Sequence, residues 1–329
     1  MTARPPPKRR PVRPPTDGES GQPEIETLPL PGGVGHPAVG MGLWGLGRWT
    51  TEDELRTKTT IARAVERGVR WFDTAEVYGG GRSERILGDV LARAVPAAPP
   101  FYLATKVSWE HLRPSQIRAA LVNSLERLGR SSVDEYLVHA PDVRVPLAET
   151  LPALEALWKE RRIGAIGVSN FGLEELEEAE RHLGETRLVV NQVRYNLFDR
   201  DEAEPVQEYC RKRGILIEAY SPLARGVLAG RYLDGRPVAP EVKRFAHRLF
   251  DPDRLPEILA RGRALRDLAA DAGVPMASIA LHWLRARGAA PVVGASRPEQ
   301  IDDLLAAWAA RPSDAVLERA DAIARGVRA

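Results

Sequence analysis

Four residues in the first half of the chain have the types that a proton relay needs. Asp73 closes the run WFD, Lys106 stands in LATKV, His139 follows YLV, and Tyr78 lies five residues beyond Asp73 in FDTAEVYG. The three runs are otherwise apolar, so a charged or titratable residue at the end of each calls for a reason. If the runs are neighbouring strands about 4.8 Å apart, side chains at their C-terminal ends converge on one small volume. A tyrosine hydroxyl with a pKa near ~10 is a poor proton donor at neutral pH, and a nearby ammonium is expected to lower that value. Lys106 supplies the ammonium, Asp73 pairs with it and keeps it charged inside an apolar surround, and His139 donates a hydrogen bond to a substrate oxygen. Together the four read as a proton relay to a developing alkoxide. Each also has a structural explanation on its own: a buried Asp–Lys pair, a satisfied core histidine, a packed loop tyrosine. Recurrence on successive strand ends is what points to chemistry.

The elements that must position these residues alternate in kind. Apolar runs of strand length are expected at 38–43, 69–74, 102–107, 135–140, 165–169, 188–193, 215–220 and 291–295. Between them lie stretches whose apolar residues recur every three to four positions, at 53–67, 83–93, 114–128, 149–161, 173–182 and 202–213, the period of an amphipathic helix. Thr51 with Glu54 is expected to form a capping box, and Gly172 and Gly214 mark helix entry and exit. Such repetition predicts an α/β protein, a single-domain (β/α)8 TIM barrel at 23–329; an open doubly wound sheet gives a similar pattern. After Tyr220 the rhythm breaks in a Gly/Pro/Arg-rich loop at 221–255, long enough to suit closure over a ligand.

Gly40, Gly42 and Gly45 spell G-x-G-x-x-G. In a dinucleotide-binding βαβ unit the helix opens within that motif, whereas here residues 46–50 delay it to the expected cap. The glycines are therefore expected to allow close backbone approach at a barrel mouth.

Composition excludes several classes. Of 329 residues 43% are hydrophobic and 28% charged, the balance of a soluble globular protein. No apolar run reaches the ~18 residues of a membrane span. The net charge of +2 is too small to argue for a nucleic-acid groove. The single Cys210 cannot form an internal disulfide and suits a reducing, cytoplasmic compartment. Histidines at 36, 111, 139, 182, 247 and 282 show no H-x-H or H-E-x-x-H spacing, so no metal site is expected. Residues 1–22 are rich in Pro and Arg with few apolar side chains and are expected to form a disordered, solvated tail.

The motifs GMGLWGLG, FDTAEVYG, ATKVSW, VHAPD, IGVSNF, NQVRYN, AYSPLARGVLAGRY and VVGASRPEQIDD stand in that order, and on them the chain resembles the aldo-keto reductase family from about Glu24 to its C-terminus. The resemblance implies NADP(H)-dependent reduction of an aldehyde or ketone, with Asp73, Tyr78, Lys106 and His139 as the catalytic tetrad and Tyr78 as general acid. It also implies a nicotinamide cofactor bound in extended form at the barrel mouth. Ser169, Asn170 and Gln192 match the groups that hydrogen-bond its carboxamide, and Tyr220 the ring on which nicotinamide stacks. Ser221, Pro222, Leu223 and Gly226 match the loop over the pyrophosphate; Gly294, Ala295, Ser296, Arg297 and Gln300 match the segment at the adenosine end. Arg297 suits a ribose 2′-phosphate because guanidinium and phosphate geometries match, which favours NADP(H) and leaves NAD(H) open.

Two departures from the family pattern stand out. Asp303-Leu304 replaces the usual Glu-Asn, which puts the adenine hydrogen bonds there in question. The chain stops at Ala329, soon after its last helical pattern, so pocket selectivity is expected to rest on other loops. Trp44, Trp49 and Trp109 are expected to wall the pocket and to favour an apolar or aromatic carbonyl; Trp71, Trp158, Trp283 and Trp308 read as core. The partner is expected to be a small carbonyl compound, with no nucleic acid or membrane, and the chain a monomer or weak oligomer. The alternative is a cofactor-binding regulatory or redox-sensing subunit of the same fold, which an intact tetrad argues against.

Overall fold

The computed structural model describes residues 25–30, 35–44, 50–94, 100–238 and 248–325. The expected tail at 1–22, Gly45 of the glycine-rich turn and Trp49 lie outside the described residues.

The chain enters through an antiparallel hairpin, β1 (Thr27–Pro29) and β2 (Gly35–Pro37). Eight strands then close on themselves: β3 (Gly40–Gly42), β4 (Trp71–Asp73), β5 (Tyr102–Val107), β6 (Val133–Val138), β7 (Ile163–Ser169), β8 (Leu188–Arg194), β9 (Leu216–Tyr220) and β10 (Ala289–Gly294). Every neighbouring pair is parallel, and β10 pairs with both β9 and β3. This is the (β/α)8 barrel; closure of the ring rules out the open doubly wound sheet.

Helices α1 (Thr51–Glu66), α2 (Arg82–Arg93), α3 (Pro114–Leu128), α4 (Leu147–Lys159), α5 (Leu173–Arg181) and α6 (Ala203–Arg213) follow successive strands. Helices α7 (Leu255–Asp271) and α8 (Met276–Ala286) precede β10, and α9 (Glu299–Ala309) and α10 (Asp314–Ala324) complete the chain. Local sequence sets several bounds. Pro114 opens α3 at a position where its missing N–H costs nothing, and Gly129 ends it at φ 63°, a left-handed conformation that glycine adopts without strain. The cap of α1 is one residue earlier than expected. Thr50, not Thr51, accepts from the Asp53 amide at 3.2 Å, and Asp53 accepts from the Thr50 amide at 3.3 Å. The short carboxylate of Asp53 closes the box that Glu54 was expected to close.

The barrel interior explains two of the glycines. A Cβ on Gly40 would lie 2.2 Å from the indole of Trp71, and one on Gly42 would lie 2.8 Å from Val292. Both glycines serve close packing of β3 against side chains of its two neighbouring strands, β4 and β10, rather than a phosphate. The hairpin closes the N-terminal end, where the His36 ring sits 4.2 Å from that of Trp71 and 4.8 Å from that of Tyr102. Trp71, Trp283 and Trp308 are buried as expected; Trp158 is only partly buried.

The last helix is tied down by one carboxylate. Asp321 on α10 accepts from Trp283 Nε1 at 2.9 Å and pairs with Arg200 at 2.8 Å, Arg287 at 2.5 Å and Arg325 at 2.6 Å. Burial raises its pKa, but the bonds from Trp283, Arg325 and Arg200 more than reverse this and bring it to about 2.

Candidate active site

Asp73, Lys106 and His139 occupy the C-terminal ends of three adjacent strands, as the sequence requires. The register sets Asp73 beside Ala104 and Lys106 beside Leu137, so the three side chains follow one another around the inner face. Lys106 is fully buried. Its ammonium has three N–H groups and three acceptors: Asp73 Oδ1 at 2.5 Å, the Thr74 carbonyl at 2.9 Å and the Tyr78 hydroxyl oxygen at 3.4 Å. An ammonium can only donate. The Tyr78 oxygen therefore accepts from Lys106, which leaves the phenolic hydrogen free to be given elsewhere.

Tyr78 is carried on the turn between β4 and α2. Thr74 and Ser83 hydroxyls bond across the base of that turn at 2.8 Å. Glu76 fastens it to the segment after β5, accepting from the Ser108 amide at 2.5 Å and lying 3.0 Å from His111 Nδ1. Tyr78 is thus fixed by its own turn and by the loop after β5.

Charge inside the barrel differs in one respect from the sequence reading. Burial pushes the Tyr78 hydroxyl up to about 12, Lys106 pulls it back only in part, and Asp73 adds to the rise. The ammonium was expected to make this phenol more acidic than usual. It does not, because Tyr78 is 8% exposed and Asp73 already matches the lysine's charge. Burial disfavours the Lys106 ammonium, yet Asp73, Tyr78 and Glu218 hold it above the usual lysine range, so it stays charged. Burial also raises Asp73, against the pull of Lys106. His139 is driven down to about 3 by burial and then by Lys106, leaving a neutral imidazole. Its Nδ1 is buried without a partner among the described residues. Its ring meets Tyr78 edge-on at 5.5 Å and Trp109 at 5.7 Å.

The residues matched to a nicotinamide cofactor follow the same rim. Ser169 Oγ donates to the Gln192 carbonyl at 2.9 Å; Asn170 Nδ2 donates to the His139 carbonyl at 3.0 Å; the Tyr220 hydroxyl donates to Asn170 Oδ1 at 2.9 Å. These ends of β7, β8 and β9 form one polar ledge beside the tetrad. Gln192 differs from its neighbours: it is buried, and its Nε2 donates inward, to Asp73 at 3.0 Å and Glu218 at 2.6 Å. Beyond the ledge, Ser221, Ala224 and Arg225 have positive φ values of 55°, 45° and 54°, and Gly226 has 99°. That strained turn carries Pro222 and Leu223 over the rim and lays the Arg225 guanidinium on the Trp44 ring at 4.2 Å. At the far end, past Gly294 and Ala295, Gln300 Oε1 accepts from the Ser296 and Arg297 amides at 2.8 and 3.2 Å. Arg297 is exposed. Arg194, Arg225 and Arg297 have no carboxylate partner among the described residues. A ledge of hydroxyls and amides, followed by three guanidiniums without a carboxylate partner among the described residues, fits a carboxamide joined to phosphates. Trp44 and Trp109 are 39% and 41% exposed at the mouth.

The sequence reading missed Thr74, Glu76 and a buried set beneath the tetrad, namely His36, Glu135 and Glu218. A signal for the two glutamates existed. Glu135 shares the period-two face of His139, and Glu218 that of Tyr220, so both had to point inward.

Fold and site together define a (β/α)8 barrel whose buried polar residues gather at the strand C-termini. The chain belongs to the aldo/keto reductase family, whose profile matches residues 38–325, and is thereby an NAD(P)H-dependent oxidoreductase. It is 34% identical over 283 residues to an uncharacterized oxidoreductase of Mycobacterium tuberculosis, covering 84% of this chain and 85% of that one. It is 28% identical over 316 residues to an NADH-specific methylglyoxal reductase of Escherichia coli, covering 87% and 95%. Among solved structures it superposes on a glycerol dehydrogenase from Gluconobacter oxydans with a TM-score of 0.80 at 27% identity, covering 90% and 94%. Among the described residues no helix is long and apolar enough to cross a membrane.

Proposed function

We propose that the chain reduces an aldehyde or ketone to an alcohol, with Tyr78 as the general acid and NADP(H) as the preferred nicotinamide. The observation that carries this reading is the hydrogen bond that the Tyr78 oxygen accepts from Lys106 Nζ at 3.4 Å. With that lone pair engaged, the phenolic hydrogen is aimed at whatever oxygen sits between Tyr78 and His139. The neutral His139 donates a second hydrogen bond to the same oxygen and fixes the carbonyl plane. The nicotinamide supplies the hydride when bound, and Ser169, Asn170, Gln192 and Tyr220 are the residues that would hold it. Ser221, Pro222, Leu223 and Gly226 would follow the pyrophosphate, with Gly294, Ala295, Ser296, Arg297 and Gln300 at the adenosine end.

Arg297, exposed and without a carboxylate partner among the described residues, supports recognition of a 2′-phosphate and so NADP(H) over NAD(H). The Escherichia coli relative is named for NADH, which leaves NAD(H) open. Trp44 and Trp109 favour a carbonyl with an apolar or aromatic substituent. A cytoplasmic location agrees with the lone thiol of Cys210, which burial pushes up to about 12. The test is NADPH oxidation against a panel of aromatic and aliphatic aldehydes and ketones. Turnover of several aldehydes is expected; tight NADPH binding with no turnover of any of them would favour a sensing subunit instead.

A further inference from the structure

The barrel interior beneath the tetrad is polar, and the polarity is organised. Glu135 of β6 and Glu218 of β9 are both fully buried, with His36 of the entry hairpin below them. His36 Nε2 lies 3.0 Å from Glu218 Oε1 and 3.8 Å from Glu135 Oε1. The Tyr102 hydroxyl donates to Glu135 at 2.7 Å. On its upper side Glu218 Oε2 accepts from Gln192 Nε2 at 2.6 Å, and the same nitrogen donates to Asp73 Oδ1 at 3.0 Å. Asp73 Oδ1 in turn receives Lys106. One unbroken line of hydrogen bonds therefore runs from the barrel floor to the Tyr78 hydroxyl.

Two carboxyl groups this close cannot both ionise cheaply. Burial and the neighbouring Glu218 charge drive Glu135 well up, so it keeps its proton. Burial also opposes ionisation of Glu218, but His36 and Gln192 more than offset it and hold the group down. Glu218 is the ionised member. The titratable and charged groups that face it are His36 from β2, Asp73 from β4, Tyr102 and Lys106 from β5 and Glu135 from β6. The three ligand-type atoms of His36, Glu135 and Glu218 lie within 4.8 Å of one another; hydrogen bonds with His36, Tyr102 and Gln192 engage three of the four carboxylate oxygens, and Glu135 Oε2 has no partner among the described residues.

The consequence concerns Gln192. A primary amide can be turned either way, and its two ends differ in kind. Here its nitrogen faces two carboxylates, each of which only accepts, so the turned amide would set oxygen against oxygen on both sides. We propose that Glu218 is a positioning residue, which through Gln192 fixes the Asp73 carboxylate on Lys106 and commits the Gln192 amide to one orientation. Gln192 Oε1 accepts no bond from a described residue and is left as the acceptor for a ligand at the ledge. This inference rests on the reading of Tyr78 as the acid.

The experiment compares Glu218→Gln, Glu218→Asp and Glu135→Gln in NADPH-dependent aldehyde reduction across pH, with thermal melting of each. Glu218→Gln keeps the shape but removes the charge and lets the amide turn. Its kcat is expected to fall about tenfold, with the aldehyde KM within about threefold of wild type. The alkaline limb of its rate profile is expected to move down by about one pH unit, because Glu218 is one of the anions that offset the Lys106 ammonium and its loss leaves more of that positive charge to act on Tyr78. Glu218→Asp keeps the charge and should keep the limb in place, and Glu135→Gln, which imitates the protonated acid, should match wild type. If Glu218→Gln does not fold, Gln192→Met cuts the same link from above and is expected to give the same fall in kcat. Unchanged kcat and limb in Glu218→Gln would overturn the inference, as would equal rate losses in all three variants that track their melting temperatures. Failure of wild type itself to reduce any aldehyde would instead defeat the proposed function.

Discussion

The Lys106 ammonium stands 3.4 Å from the Tyr78 hydroxyl and 2.5 Å from the Asp73 carboxylate, and this order of distances decides what the lysine does. Its charge is matched first by Asp73, so it orients the phenol more than it acidifies it. The sum is a tyrosine with its pKa near 12, fully protonated at neutral pH, with its hydrogen directed away from the cation.

A pH profile follows from that. The acid form of Tyr78 is lost only as pH rises through about 12, and the neutral form of His139 only as pH falls through about 3. Aldehyde reduction, followed as kcat/KM, is expected to be flat between about pH 5 and 10. A limb near pH 7 would mean that His139 titrates in the working range, contrary to its burial beside Lys106.

Gly40→Ala should damage the fold rather than the site. The added methyl would lie 2.2 Å from the Trp71 indole, itself fully buried, and relief requires moving a ring at the centre of the barrel. A loss of about 3 kcal/mol in chemical denaturation is expected. An unchanged midpoint would show that the glycine serves something other than close packing.

Arg297→Ala tests nucleotide choice. If its guanidinium meets a 2′-phosphate, removal should weaken NADPH binding by about tenfold, roughly 1.4 kcal/mol, and leave NADH unaffected. Tryptophan fluorescence quenching with both nucleotides reads this directly, and equal loss for the two would remove the basis for preferring NADP(H).

Asp321→Asn tests how the last helix is held. The folded pKa of about 2 lies below the ordinary 3.8, so ionised Asp321 stabilises the fold at neutral pH and loses that contribution as pH falls towards 2. Solvent at its open edge limits the effect to about 1–2 kcal/mol. The gap between wild type and variant in denaturant midpoints should narrow between about pH 5 and pH 2.5, and a gap constant with pH would contradict the ion-pair account.

Much of this could be read from local pattern. The runs ending at Asp73, Lys106 and His139 declared both their strands and their shared end, because a polar residue closing an apolar run has few other uses; α3 matched its expected bounds because Pro114 and Gly129 mark both ends chemically. What escaped depended on partners distant in sequence. His36 meets Glu218 across 182 positions and Gln192 meets Asp73 across 119, and no periodicity encodes such pairings. The cap at Thr50 was misplaced by one residue because Thr-x-x-Asp and Thr-x-x-Glu overlap there. The direction of the Tyr78 shift was misjudged for a physical reason: a neighbouring cation can be inferred from sequence, whereas the depth of burial that outweighs it cannot.

The most direct test is Tyr78→Phe, which removes one hydroxyl and leaves the ring. NADPH-dependent reduction of an aromatic aldehyde should fall by about 10²–10⁴-fold, while NADPH binding, read by fluorescence quenching, stays within about twofold. Reduction by Tyr78→Phe at the wild-type rate would show that the proton comes from elsewhere and would contradict the account.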